Sequence, residues 1–229
     1  MFQLYELTRE VRIEPHNLGH DRVEAITDEL NNKLANRVVL GVGLCMSLWD
    51  IKEIRNGVIY PSDGGVHSVV KFRYIVFRPF QDEILVGKIK RCTPDGVHVT
   101  LGFFDDIFIP QEGLQHPSKF DEREQLWIWE YKAEEDDEVH EMYMDKGENI
   151  RFRVTGEVFC DTTPIPSGSG DGSSVGGQGQ IGSGPSTSTA GGGGPEQSGM
   201  EDDSSTSKIP YSLTASINEP GLGLLSWWS

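Results

Sequence analysis

Basic side chains recur in two short alternating segments of the sequence. The stretch GKIKR carries Lys88, Lys90 and Arg91, and the stretch NIRFRV carries Arg151 and Arg153. Alternation in a strand places polar residues on one face and apolar residues on the other. We therefore expect these cations to form a basic face that contacts the phosphates of RNA. The alternative is a set of solvated cations paired with nearby carboxylates, each pair adding little stability.

A histidine and several aromatic residues lie near the first basic segment. In the run VHVTL, alternation turns His98 away from the apolar face, and in IFI it does the same for Phe108. An outward ring can stack on a base, which is worth about 1–3 kcal/mol. Phe103 and Phe104 are candidates too, although aromatic residues in short strands are more often part of the core. We therefore add His98 and Phe108 to the predicted RNA-binding face.

Adjacent acidic residues at Asp105 and Asp106 suggest a metal site or an acid–base pair. Neighbouring side chains of a strand point to opposite faces, so the two carboxylates would not converge on one ion. We interpret them as turn residues. No motif ties His98 to a serine, cysteine or acid. The sequence therefore predicts no catalytic residue, no metal site and no cofactor.

The charge of the chain limits how it can bind nucleic acid. The formal net charge of the 229 residues is −16, and residues 83–163 alone carry 9 basic and 19 acidic residues, net −10. A chain this acidic repels bulk nucleic acid, so any contact with single-stranded RNA must be weak and must use a local basic face or a partner.

Cysteine usage and hydropathy indicate a reducing compartment and no membrane association. The three cysteines are widely spaced and contain no C-x-x-C pair, which argues against a zinc site and a disulfide framework. The longest apolar run, residues 38–49, is interrupted by glycines and too short to cross a bilayer. The first residues lack the features of a secretory signal.

Residues 1–82 have the pattern of a small α+β domain with one helix on an antiparallel sheet. Strands are predicted at residues 2–13, 38–51, 58–60 and 69–77, with NG and DGG turns between the later ones. Asp21 and Glu24 have the spacing of a capping box. The helix that follows has an apolar stripe of Val23, Ile26, Leu30 and Leu34, with Asn31, Asn32 and Lys33 facing water.

Residues 83–163 have the pattern of a small all-β barrel. Three strands come first, within residues 83–110, and a loop with a helical turn is predicted at residues 117–124. Trp127, Trp129 and Tyr131 alternate along the next strand, five acidic residues at 134–138 form a predicted hairpin tip, and another strand spans residues 150–159. Residues 164–208 are rich in Gly and Ser, and we predict a disordered insertion. Residues 209–229 then supply a returning barrel strand and an apolar tail.

The order of the first barrel strands resembles the RNA-binding OB fold of the ribosomal-protein type, with a glycine-led strand, a turn, a second strand and a short third strand. That family presents one barrel face to single-stranded RNA. A stacking aromatic residue usually stands on its second strand, where this chain has His98.

A sharper resemblance covers nearly the whole sequence outside residues 164–208. The segments FFDDIFIP, KFDEREQLWIWEY, GENIRFRV and INEPGLGLLSWW, together with the N-terminal α+β unit, are similar to the stalk subunit of RNA polymerase III. Related stalk subunits serve RNA polymerase II and the archaeal RNA polymerase. The resemblance implies a non-catalytic nuclear subunit that pairs with a second stalk subunit, docks on the polymerase core through the N-terminal domain, supports initiation and faces the emerging transcript with the barrel.

The apolar end of the chain has two open interpretations. Leu224, Leu225, Trp227 and Trp228 would form an exposed apolar patch unless they bind a partner or fold back into the domain junction. For the whole chain, the alternative to a polymerase subunit is a free-standing OB-fold protein of translation or RNA decay. Residues 1–82 discriminate the two, since a stalk subunit needs a docking domain and a free RNA binder does not.

Overall fold

The computed structural model describes residues 1–132, 139–162 and 208–228, which form one α-helix, α1 (Arg22–Leu34), and fourteen strands. The strands in chain order are β1 (Phe2–Ile13), β2 (Arg37–Val39), β3 (Gly43–Ile54), β4 (Val58–Ile59), β5 (Val66–Phe77), β6 (Ile84–Thr93), β7 (Gly96–Thr100), β8 (Ile107–Pro110), β9 (Ser118–Asp121), β10 (Leu126–Lys132), β11 (Val139–Tyr143), β12 (Asn149–Phe159), β13 (Tyr211–Ser216) and β14 (Gly223–Leu224). None of the described helices is both long enough and apolar enough to cross a membrane.

The N-terminal part is an antiparallel sheet with α1 on one face, as the sequence predicts. The strand order is β1-β5-β3-β2, and β4 pairs with the start of β5. Alternate residues of β5 point toward the helix, where they meet its buried side chains. This core contains Ala25, Ile26, Leu30, Leu34, Val70, Phe72, Tyr74 and Val76.

Several details of this sheet differ from the prediction. The strand predicted at residues 38–51 is two strands, because Gly41 and Gly43 take φ values of +73° and +129° and reverse the chain between β2 and β3. Val23 is 49% exposed, and Ala25 takes the predicted place of Val23 in the buried stripe. Asp21 is the N-cap residue, but its side chain makes no capping hydrogen bond, so the predicted cap is absent.

Asn31 was predicted to face water, and this is wrong. Its Oδ1 accepts hydrogen bonds from the backbone N–H of Leu48 and from the hydroxyl of Tyr74, both at 3.1 Å. A backbone amide on the outer edge of β3 therefore has a partner. The helix covers this edge through a polar side chain, which hydrophobic periodicity does not reveal.

The barrel closes through strands that are far apart in the sequence. Strands β6, β7, β8, β13 and β12 pair in that order, and β12 pairs again with β6. All pairs are antiparallel except β13 with β8. This closed five-stranded barrel confirms the predicted OB fold. The predicted disordered insertion lies outside the described residues, apart from Lys208 at its end, and its flanks meet where Phe159 pairs with Tyr211.

A separate three-stranded sheet, β11-β10-β9, lies between β8 and β12 in the sequence. The loop predicted at residues 117–124 instead contains β9, which pairs with β10. Trp127 and Trp129 are buried, and so is the intervening Ile128, because both faces of β10 are covered. The Trp127 ring N–H donates to the Thr93 carbonyl at 2.9 Å, which ties this sheet to the barrel. The acidic residues 134–138 lie outside the described residues.

The two parts meet at a joint formed by Phe77, Arg78 and Glu157. Phe77 ends β5, is fully buried within the barrel's core cluster, and contacts the rings of Phe103 and Phe104 at 5.0 Å. Arg78 donates to both carboxylate oxygens of Glu157 on β12, with Nη2–Oε1 2.5 Å and Nε–Oε2 3.1 Å. The joint is therefore both apolar and ionic.

Further hydrogen bonds hold the Arg78 guanidinium in place. It donates to the Tyr5 hydroxyl at 2.9 Å and to the Gly41 carbonyl at 2.8 Å. The Tyr211 hydroxyl donates to Glu157 at 3.2 Å. The carboxylate of Glu157 raises the pKa of Arg78. Burial, with Glu157 nearby, raises the pKa of Tyr211.

We expect Arg78→Ala to lower the free energy of unfolding by about 2 kcal/mol, because it leaves Glu157 without its charged donor. Arg78→Lys should restore only part of this, since an ammonium cannot donate to both oxygens in the planar geometry of a guanidinium. Urea denaturation of the full chain measures the loss.

The matched control is Arg9→Ala, which removes an exposed cation that forms no ion pair with any described residue. Equal denaturation midpoints for the Arg78 and Arg9 variants would contradict the stabilising role of the joint.

Candidate nucleic-acid interface

Two neighbouring strands of the barrel, β7 and β8, place a histidine and a phenylalanine side by side on its outer surface. On β7, Val97 and Val99 are buried whereas His98 is half-buried and faces outward. Its cross-strand partner on β8 is Phe108, and the two ring centroids are 5.0 Å apart. The predicted outward positions of His98 and Phe108 therefore form one aromatic surface.

A break in the alternation of β6 brings two cations to the same side of the barrel. Ile89 pairs with Val99 and Arg91 with His98, so Lys90 is the extra residue of a β-bulge. Because of this bulge, the consecutive residues Lys90 and Arg91 are both exposed. Strict alternation would have turned one of them inward.

These side chains surround a cleft of about 310 Å³, which we call the barrel cleft. Four of the predicted RNA-binding residues line it, and four other residues complete its walls. The lining consists of Lys90, Arg91, His98, Asp105, Asp106, Phe108, Ile209 and Ser212. Ile209 and Ser212 were not predicted, because they come from beyond the insertion and reach the cleft only through the pairing of β13 with β8.

The ionisable groups of the barrel cleft influence one another. Lys90 donates to Asp105 at 2.8 Å and lowers the pKa of that carboxyl group, with help from the Thr100 hydroxyl. Burial raises the pKa of Asp106, and the charge of Asp105 adds to this. Burial and the nearby Arg91 and Lys90 lower the pKa of His98, so the imidazole is neutral at pH 7.

Two cations near this cleft form no ion pair within the described part of the chain. Arg91 lines the cleft, and Lys88 lies two positions before Lys90 on the same outer face of β6. Both are exposed, so their charges are available to the phosphates of a ligand. Lys90 instead forms an ion pair with Asp105, as the alternative interpretation of these cations predicts.

Arg151 and Arg153 lie on β12, which pairs with the first half of β6. Arg153 is opposite Ile84 on β6, six residues from Lys90, which is about 20 Å along a strand. Its Nη2 donates to Glu219 at 2.7 Å, and its buried Nε has no hydrogen-bond partner among the described residues. Arg151 donates to the Gly221 carbonyl at 3.4 Å. Arg151 pairs with Val86, two residues before Lys88 on the same face of β6, so Arg151 and Lys88 are diagonal neighbours about 7–8 Å apart. The structure therefore places Arg151 beside Lys88 and Arg153 farther away.

The apolar end of the chain folds back on the barrel for most of its length. Leu224 is fully buried and Leu225 is half-buried. The Trp227 ring packs 5.0 Å from Trp129 and covers Gly223, where φ is +108° and a Cβ would lie 2.4 Å from the indole. Trp228 donates its ring N–H to the Leu222 carbonyl at 3.1 Å yet stays 47% exposed. Internal packing therefore accounts for Leu224 and Trp227.

Family models match both parts of the chain. One described as RNA polymerase III subunit Rpc25 matches residues 83–228. Another, described as the SHS2 domain found in the N terminus of Rpb7p/Rpc25p/MJ0397, matches residues 8–64. The chain belongs to the RNA polymerase III subunit Rpc25 family.

Relatives of this family match the chain from end to end. DNA-directed RNA polymerase III subunit RPC8 of Bos taurus is 48% identical over 229 residues, covering 100% of this chain and 99% of the relative. The subunits of the same name from Saccharomyces cerevisiae and Schizosaccharomyces pombe are 36% and 35% identical, with full coverage of both chains. The chain is thus an RNA polymerase subunit. The alternative of a free-standing protein of translation or RNA decay finds no support here.

We expect Lys88→Gln with Arg91→Gln to weaken binding of a single-stranded RNA oligomer and to reduce its salt dependence. Each lost phosphate contact should reduce the slope of log K against log salt by about 0.7, or about 1.4 for the pair. Fluorescence anisotropy at several salt concentrations measures both quantities. Arg9→Gln with Arg37→Gln removes the same charge from the N-terminal sheet and serves as the control. Equal slopes for the two double variants would place the phosphate contacts elsewhere.

The two terminal tryptophans should behave differently in the free chain. Trp227→Ala should lower the free energy of unfolding by about 3 kcal/mol, because it removes a ring packed against Trp129 and Gly223. Trp228→Ala should change it by less than about 1 kcal/mol, since half of that side chain is already in water. Thermal and urea denaturation of each single variant compare the two. A similar loss in both would show that Trp228 also stabilises the fold.

Proposed function

We propose that this chain is a non-catalytic stalk subunit of RNA polymerase III. In this proposal it docks on the polymerase core with a second stalk subunit, supports transcription initiation and contacts the emerging transcript in the nucleus. The observation that carries the proposal is the similarity of the whole chain, with both of its parts, to RPC8 subunits of RNA polymerase III.

The N-terminal sheet has a suitable surface for docking at the end away from the barrel. Strand β1 starts at the joint and runs for 12 residues, which is about 40 Å at the usual rise per residue. Beyond its far end, several apolar side chains are roughly half exposed or more, which is unusual for a surface without a partner. This tip patch consists of Leu18, Val58, Ile59 and Tyr60.

The barrel supplies the surface for the transcript. The barrel cleft combines an aromatic surface of His98 and Phe108 with the unpaired cation Arg91, and Lys88 lies beside it. Aromatic rings and nearby cations are the usual features of single-strand binding by OB folds. Because the joint fixes the barrel relative to the sheet, docking of the tip patch would also set the direction in which the cleft faces.

The second stalk subunit has candidate contacts at the end of the chain. Trp228 and the half-buried Leu225 leave apolar surface exposed beside the buried Leu224 and the half-buried Trp227. Exposed aromatic residues over a packed base are typical anchors of protein interfaces. We propose that Leu225 and Trp228 contact the second subunit, whereas Leu224 and Trp227 support them from within. The heterodimer should then melt at a higher temperature than the free chain.

Docking is tested with the double variant Ile59→Asp and Tyr60→Asp in a tagged chain expressed in cells. Two carboxylates cannot be buried in an apolar contact without a large desolvation cost, so the variant should lose the polymerase core. It should still retain the second stalk subunit, because the tip patch is remote from Trp228 in this proposal. Affinity purification with quantitative mass spectrometry measures both partners.

The matched control is Leu40→Asp with Val86→Asp, which places the same charge on exposed apolar residues outside the tip patch. The docking proposal is wrong if the tip variant recovers as much polymerase core as the control does. The broader proposal fails if the parent chain recovers RNA but no polymerase subunit.

A further inference from the structure

Asp106 is an acidic residue at the wall of the barrel cleft, and a site that bound only phosphate would have no use for it. It comes just before β8 and lines the same cleft as Phe108. Its carboxylate is half-buried, and no described residue donates a hydrogen bond to it. The adjacent Asp105 is different, since Lys90 and Thr100 both donate to it. An acceptor without a donor at the wall of a cleft suggests a ligand that brings its own donors.

The charges of the barrel cleft favour a nearly neutral ligand group over a phosphate. Lys90 and Arg91 contribute two positive charges, the two aspartates contribute two negative charges, and His98 is neutral at pH 7. These charges cancel within the cleft. Phosphates of a bound strand would be attracted to the rim, where Arg91 and the neighbouring Lys88 form no ion pair with any described residue. The interior is suited to a base.

The shape of the cleft also suits a single base. A volume of about 310 Å³ is at the lower end of the range for small-molecule sites, which is about 300–1,000 Å³. One wall holds the rings of His98 and Phe108, which are tilted by 47° to each other, so a flat base can stack on one ring and contact the edge of the other. Ile209 and Ser212 border the cleft from β13 and the residues just before it. A base stacked on the rings would have its edge within the same small space as Asp106.

We propose that the barrel cleft binds one unstacked guanine base of single-stranded RNA, with Asp106 accepting hydrogen bonds from N1–H and N2–H of the base. The proposal rests on the transcript contact proposed above and specifies the base that this contact selects. Phe108 and His98 hold the ring, and Arg91 contacts a flanking phosphate.

The choice of guanine follows from the donors on each base. An ionised carboxylate only accepts hydrogen bonds and has two oxygens side by side. Guanine presents two adjacent donors on its Watson–Crick edge, N1–H and the N2 amino group. Adenine and cytosine present one amino group beside an accepting ring nitrogen, and uracil presents one N–H between two carbonyl oxygens. An accepting atom facing the carboxylate is repelled, so the other three bases bind less well.

The test is an NMR titration of the isotopically labelled full chain with GMP, IMP, AMP, CMP and UMP. The resonances of the His98 ring and of the backbone amides around Asp106 report on the cleft. GMP should bind most tightly. IMP, which lacks the 2-amino group, should bind about tenfold more weakly, the factor for one lost hydrogen bond of ordinary strength.

Three variants separate base selection from folding and stacking. Asp106→Asn keeps the shape of the side chain but replaces one acceptor by a donor, so the difference between GMP and IMP should disappear. Asp95→Asn removes the same charge from an exposed turn of the barrel and should leave that difference unchanged. His98→Ala removes a stacking partner and should weaken the binding of every nucleotide by a similar factor. For this variant, binding is measured from the backbone amide resonances of the cleft.

Each outcome bears on a different part of the proposal. Equal binding of all nucleotides, or a GMP preference that survives Asp106→Asn in a folded variant, would refute guanine selection while leaving transcript contact intact. If neither the nucleotides nor a single-stranded RNA oligomer perturbed the cleft, the proposed transcript contact would fail together with this inference. A preference for GMP that is lost only with Asp106→Asn supports it.

Discussion

The joint between the N-terminal sheet and the barrel is the constraint on which the rest of the structure depends. Phe77 is the last residue of a strand in one part and a core residue of the other, so neither part can move without opening an apolar contact. The following residue, Arg78, forms an ion pair with Glu157. Burial of apolar surface stabilises the contact between sheet and barrel, and the hydrogen bonds of the guanidinium fix its geometry. As a result, the proposed docking surface at one end and the barrel cleft keep a fixed geometry.

The fold was predictable from the sequence wherever local alternation decides the structure. Strands β1, β7 and β13 follow their patterns closely, and the closed barrel was recognisable from its strand order. Prediction failed where a contact depends on a distant element. Asn31 is polar on a helix, but it satisfies an amide of β3. The strand β9 exists because β10 is beside it. Arg153 is remote from Lys90, whereas Arg151 is a diagonal neighbour of Lys88, because β12 meets β6 in a register that the sequence does not display.

The acidic character of the chain and the proposed recognition of RNA are compatible because charge acts locally at the barrel cleft. A net charge of −16 opposes the approach of any polyanion, and salt screens this repulsion beyond about 10 Å. Within that distance the ligand meets a neutral cleft with cations at its rim. In the proposed role, such an arrangement would bind single strands weakly, and the fit of one base would decide which strand is retained. Weak phosphate binding would also allow the proposed release of a growing transcript.

The parallel pairing of β8 with β13 has a consequence for the synthesis of the protein. Leu213 pairs with Ile107, so two partners of one ladder are separated by more than a hundred positions of the chain. Contacts this distant in sequence form slowly, because a long loop must close before they contribute. The sheet that carries α1 is complete by residue 77 and can form while translation continues. The barrel strands that precede the insertion must wait with an open edge, and an open edge can pair with other chains. Residues 83–159 are therefore the part of the nascent chain most in need of protection until β13 arrives.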